Sequence, residues 1–248
     1  MCGRYAASRR PEDLALEFEA VPADGQAPLP PDYNVAPTKD VYVVRTRRER
    51  DAEGAPTGGT HRELRAVRWG LVPSWATDVS VGSRLLNARV ESLTEKPAFR
   101  RAARSRRCLV PADGWYEWAK KLDGPGKQPY YMTPRDGSVL AFAGLWEVWG
   151  RGDERLYTCT VVTEPAVGPL TEIHDRMPLV LPRERWADWL DPAREDVEQL
   201  AAPTPLELVE ALELRPVGSA VNSVRNNGVE LTARAESVAP PADQPALF

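Results

Sequence analysis

Twenty-four prolines and 17 glycines recur throughout these 248 residues, and they set the scale of everything the chain can build. Proline removes a backbone donor and glycine weakens the interior of helices and strands, so long helices are excluded and many turns are required. A helical bundle does not fit this punctuation. What fits is a set of short β-rich runs: Val41 to Arg45, Leu64 to Leu71, Arg107 to Pro111, Trp115 to Trp118, Tyr130 to Thr133, Val139 to Trp149 and Leu156 to Thr163. The first residues, MCGRYA, read as a further short strand.

Helix signals are fewer. Ser8, Pro11, Glu12 and Asp13 form a helix start that would place Leu14, Phe18 and Val21 on one face. Ser92 or Thr94, with Glu95 three residues after Ser92, predicts a capped helix running to Arg104. Two or three more helices are expected around Arg183 to Leu190, Pro192 to Leu200 and Leu206 to Leu212. Pro22 to Pro37 reads as loop, and Thr46 to His61 as a polar hairpin tip. With no repeat and no linker, the pattern predicts one α+β domain over residues 1–236. Its strands outnumber its helices, with antiparallel sheets curled together and peripheral helices. Residues 237–248 are expected to be a flexible tail.

The chain has 42% hydrophobic and 27% charged residues, and no run approaches the ~18 apolar residues of a membrane span. Arg9, Arg10, Glu12 and Asp13 interrupt any signal-peptide pattern, so a cytoplasmic protein with no membrane partner is expected, acting as a monomer. Cys2, Cys108 and Cys159 are too few and too widely spaced for a disulfide framework. Adding His61 and His174 gives no metal-ligand spacing, and neither a metal nor a cofactor is expected. The net charge of −4 hides an uneven distribution. Arg84 to Arg107 holds eight Lys/Arg against Glu91 and Glu95, whereas Trp186 to Leu214 holds Arg194 against eight acids. The first stretch suits phosphate, although a solvated helix face would carry the same charge.

Cys2 would become the first residue if Met1 were trimmed. Its α-amine, with an ordinary pKa of about 7.7–8.0, would then be partly nucleophilic near neutral pH. Amine and thiol together can capture an aldehyde, first as an imine and then as a five-membered thiazolidine. The thiol could alternatively serve an N-terminal hydrolase, and a cysteine at this position can also be a chance residue. Asn87 and Arg89 are two residues apart, so in an extended segment both face the same way. An amide beside a guanidinium suits an oxyanion or a phosphate. Glu117, flanked by Trp115, Tyr116 and Trp118, would have its pKa raised by desolvation and suit acid/base work. It could equally be a surface residue. His174 and Arg176 repeat the two-residue spacing, where a lone histidine is often structural. Asn34, Pro37, Trp69 and Trp75 lie in turn-rich contexts, where an exposed indole stacks on unpaired bases and a buried one is core.

In order, MCGRYA, YNVAPT, RWGLVPSW, NARVES, RRCLVPADGWYEW, FAGLWE and IHDRMP resemble the SOS-response-associated peptidase family of abasic-site-shielding proteins, from about Met1 to Leu190. The resemblance implies a single α+β domain that binds abasic sites in single-stranded DNA and cross-links to them through Cys2 as a thiazolidine. It implies Asn87 bonding the cross-link, Glu117 as acid and base for sugar-ring opening and imine formation, and His174 moving protons. It further implies Arg89 and Arg176 on phosphates, with Arg4, Pro37 and Trp69 lining the DNA groove. Autocatalytic removal of Met1, lyase-type chemistry and a peptidase activity belong to the same implication. The Thr46 to His61 tip and the region after Trp189 match nothing in the family pattern. Two further readings remain: an N-terminal-nucleophile peptidase or amidase, and a non-catalytic module for single-stranded DNA or the sliding clamp. Gln244, Leu247 and Phe248 in the terminal "QPALF" resemble a clamp-docking peptide, while an apolar end could equally pack on the domain.

Overall fold

The computed structural model describes residues 2–120 and 125–235. Residues 236–248, including Gln244, Leu247 and Phe248, whose resemblance to a clamp-docking peptide was noted above, lie outside the described residues. The first half of the chain holds β1 (Tyr5–Ala7), α1 (Pro11–Glu17), β2 (Ala20–Pro22), β3 (Asp32–Val35), β4 (Asp40–Arg50), β5 (Pro56–Trp69), β6 (Asn87–Arg89) and α2 (Arg100–Ser105). There follow β7 (Arg107–Ala112), β8 (Gly114–Lys120), β9 (Lys127–Pro134), β10 (Leu140–Trp149), β11 (Leu156–Pro165) and β12 (Arg176–Pro178). The chain then forms α3 (Trp186–Leu190), α4 (Val197–Leu200), α5 (Leu206–Glu210) and β13 (Leu212–Pro216). This is a strand-rich α+β fold with short peripheral helices. No described helix is long and apolar enough to cross a membrane.

One sheet runs β13-β9-β8-β1-β3 and the other β12-β11-β10-β7-β4-β5-β2. In the second, β11 pairs with β5 as well as β10, which closes β11-β10-β7-β4-β5 into a ring. Strand alternation then sorts the side chains. Val41, Val43, Val67, Cys108, Phe142, Cys159 and Val161 share one core cluster with Tyr5 and Trp115 of the first sheet. Val44, Leu64, Leu109, Leu145 and Val162 face the other way, against Leu14 and Phe18 of α1, Ala102 and Ala103 of α2, and Trp186 and Trp189 of α3. The ring is thus filled from within, backed by helices outside and joined by the first sheet.

Several local expectations are corrected. Thr46 to His61 is not a long tip: β4 and β5 pair through Arg47↔His61 and Arg48↔Thr60 to Arg50↔Pro56. Charge pairing secures the base of this extension, where Glu63 accepts from Arg45 at 2.7 Å and from Arg47 at 3.2 Å. The helix expected from Ser92 starts only at Arg100, after Pro97, which has no N–H to donate and disfavours helical geometry in its predecessor. Val21 leaves α1 and joins β2, because Glu19 turns the chain at φ 51°. The Pro22 to Pro37 loop contains β3, and Pro192 to Leu200 is helical only from Val197. Leu212 opens β13 opposite Pro134 instead of closing a helix.

Between β5 and β6 the chain makes an excursion with a narrow neck. A Cβ added to Gly70, whose φ is +121°, would sit 2.6 Å from the Gly82 carbonyl oxygen. Only glycines allow the two backbones this close. The neck delivers Leu86 and Asn87 back to β11 in parallel register, Val161↔Asn87 and Thr163↔Arg89.

Candidate active site

Cys2 precedes β1 and is fully buried against Tyr5, Trp69 and Trp115. Burial pushes its thiol pKa up, and the nearby charge of Glu117 pushes it further. Asn87 fixes its backbone: the side-chain amide donates to the Cys2 carbonyl at 2.8 Å. Because β6 is extended, Asn87 and Arg89 lie on one side while Ala88 enters the core behind them. The Asn87 Oδ1 is buried with no hydrogen-bond partner among the described residues, so it keeps a free acceptor.

Glu117 comes from the first sheet. On β8 it shares the face of Trp115, whereas Tyr116 packs the opposite way onto Tyr131. The register Tyr5↔Trp115 continues as the Tyr116 N–H donates to the Arg4 carbonyl at 2.9 Å, which carries the Cys2–Gly3 segment alongside Glu117. The residue is 4% exposed, and burial raises its pKa to about 7. Near neutral pH it therefore holds its proton about half the time.

His174 sits just before β12 with Nε2 3.9 Å from Glu117 Oε2. Its Nδ1 accepts the Arg176 backbone N–H at 2.9 Å, which leaves the ring proton on Nε2, toward Glu117. Asp175 Oδ1 also lies 2.7 Å from Nδ1, but its side chain is 85% exposed and free to yield, whereas the backbone donor is held by β12. Burial lowers the His174 pKa. Cys2, Asn87, Glu117 and His174, from four separate segments, thus converge.

The arginines differ in availability. Arg89 is exposed. Arg176 is buried and bound by both guanidinium ends to Glu91, with Nη2–Oε2 at 3.0 Å, and also donates to the Thr163 carbonyl at 2.6 Å. Arg4 donates to Asn34 Oδ1 at 2.6 Å and to the Val221 carbonyl at 2.9 Å, beneath Trp118. Pro37 is half-buried in a turn pinned where the Thr38 N–H meets the Trp69 carbonyl.

Trp69, expected to line the groove, is corrected: it has 0% exposure. Its indole N–H donates to the Leu86 carbonyl at 3.0 Å and its ring meets Tyr5 edge-on at 5.2 Å. Trp69 is the support beneath Cys2 and Asn87, because the inward positions of β5 face the ring interior. Trp75, from the same motif, is 63% exposed. Sequence reasoning missed Glu91 and the 219–228 segment, which binds Asn34 through the carbonyls of Val221, Ser223 and Asn226 and Trp118 through Asn222. The turn-forming Asn226-Asn227-Gly228 was the available signal.

The family model described as SOS response associated peptidase (SRAP) matches residues 1–224. The "Abasic site processing protein YoqW" of Bacillus subtilis is 36% identical over 232 residues, 93% of this chain and 98% of its own. The "Abasic site processing protein YedK" of Escherichia coli is 34% identical over 239 residues, covering 93% and 98%. A crystal structure of a Bacteroides thetaiotaomicron protein shares the fold, with a TM-score of 0.78 at 23% identity over 95% of this chain and all of that one. Fold, ordered motifs and similarity agree, and the chain belongs to the SOS response associated peptidase family.

Proposed function

We propose that this protein binds abasic sites in single-stranded DNA and, once Met1 is removed, captures their aldehyde covalently at Cys2. The observation that carries this reading is a buried carboxyl with a pKa of about 7 beside Cys2, with His174 3.9 Å from it. An abasic sugar is mostly a closed hemiacetal. Glu117 in its acid form protonates the ring oxygen while the anomeric hydroxyl loses its proton, which opens the sugar to the aldehyde. The Cys2 amine adds to the carbonyl carbon, and loss of one water gives the imine. The thiol then adds to that carbon, its proton passing to the nitrogen through Glu117 and His174, and the thiazolidine closes.

Such acid/base assistance is worth on the order of 10²–10⁴-fold. Arg89 supplies an exposed phosphate contact, and Arg176 would supply another if Glu91 released it. Release of Met1 is hydrolysis of the Met1–Cys2 bond, with one water consumed and the Cys2 amine freed.

The test incubates the protein, with its mass measured to establish loss of Met1, with an abasic oligonucleotide and looks for a heat-stable adduct on a denaturing gel. Adduct with the parent protein and none with Cys2→Ala is expected. A heat-stable adduct formed by Cys2→Ala would overturn the assignment.

A further inference from the structure

The excursion between β5 and β6 carries a second recess, separate from Cys2. Trp75, Ser74, Pro97, Arg100, Arg101 and Glu147 line a cavity of about 500 Å³. Its walls are built from the core outward. The Ala76 N–H closes a turn onto the Pro73 carbonyl at 2.9 Å, and the Trp149 indole donates to the Ala76 carbonyl at 2.7 Å. That bond ties the turn to the end of β10. The turn holds Trp75 with its ring 63% exposed, an unusual position for the largest apolar side chain. Facing it, Arg100 and Arg101 are exposed on the first turn of α2. Among the described residues, neither closes an ion pair or donates a side-chain hydrogen bond. The one acid of the recess, Glu147, is already ion-paired with Arg106 and accepts the Val148 N–H at 2.8 Å. The recess therefore combines an open indole face with two uncommitted guanidinium groups over a neutralised floor.

We propose that this recess is a subsite for an undamaged nucleotide of the bound strand, its base on Trp75 and its phosphate between Arg100 and Arg101. The proposal rests on the single-stranded DNA reading above and extends it away from the lesion. Phe142, whose ring lies 6.1 Å from that of Tyr5, marks the Cys2 end of β10, and Trp149 marks the recess. Seven residues at ~3.3 Å each separate them by roughly 20 Å, so the subsite serves nucleotides several steps from the abasic site. A stacked base and a phosphate contact need no particular sequence, which suits a protein that must accept any flanking DNA.

The test measures binding by fluorescence anisotropy to a short strand bearing a reduced abasic site, and to the same strand extended on its 5′ or its 3′ side. The parent protein is expected to gain affinity from one extension and not the other. Trp75→Ala and the double variant Arg100→Gln/Arg101→Gln are each expected to lose that gain, about tenfold, while binding the short strand as before. The double variant should also lower the slope of log affinity against log salt by ~0.7 for each phosphate that it no longer neutralises. Equal weakening on short and extended strands would overturn the subsite, as would the absence of any extension effect in the parent protein. The unmodified short abasic strand keeps the two readings apart. Failure of the parent protein to cross-link it counts against the Cys2 chemistry, whereas the extension effect is read from binding alone.

Discussion

The two ends of the strand ring both bury charge, and they treat it in opposite ways. At the end away from Cys2, Arg45 is bound to Glu63 at 2.6 Å and lies 4.3 Å from the centre of the Trp146 ring and 5.0 Å from that of Tyr157. At the Cys2 end, desolvation of Glu117 outweighs the attractions around it and its pKa rises to about 7. A buried charge matched by a permanent opposite charge is architecture. A buried carboxyl whose desolvation is not fully offset becomes a group that exchanges protons at neutral pH, which is what acid/base chemistry needs.

Three substitutions would break or sharpen that contrast. Glu117→Gln should slow adduct formation by on the order of 10²–10⁴-fold, read from the initial rate with excess abasic DNA. Its stability effect has the opposite sign. A carboxyl whose folded pKa is raised destabilises the fold progressively as pH climbs from the ordinary value of 4.5 to about 7. Glu117→Gln should therefore be more stable than the parent at pH 8, by up to about 3 kcal/mol, and no more stable at pH 4. Urea titrations at the two pH values check this, and parent-like stability at pH 8 would contradict the assigned burial.

Glu63→Ala should do the reverse. Leaving Arg45 buried and unpaired is expected to cost about 3–5 kcal/mol in a urea titration, with the adduct rate per folded molecule unchanged. A large rate loss there would mean that the two ends are coupled. The smallest expected effect is that of Asn87→Ala, which removes the 2.8 Å bond to the Cys2 carbonyl. About 1 kcal/mol of stability should be lost, together with about tenfold in rate as Cys2 loses its alignment. Rescue by Asn87→Gln would mean that the amide, not its placement, matters.

Much of the site was legible in the chain because it depends on local rules. The two-residue spacing of Asn87 and Arg89 places both on one side of any strand, and β6 is a strand. Aromatic neighbours foretold a desolvated Glu117, although Trp115 shares its face and Tyr116 does not. The Thr46 to His61 stretch misled because cross-strand partners, invisible locally, hold its charged residues in register. Glu91 went unnoticed because its importance lies wholly in reaching Arg176, 85 residues away.

By itself, then, the sequence determined the short-element α+β class, through its prolines and glycines, and the chemical types at Cys2, Asn87, Glu117 and His174, through residue identity and period. Only the tertiary structure decided that the four meet, that Trp69 is a buried support while Trp75 stays open, and that Arg176 is held by Glu91. The reason is physical: identity and alternation are properties of neighbouring residues, whereas burial, pKa and pairing arise from groups that distant segments bring together.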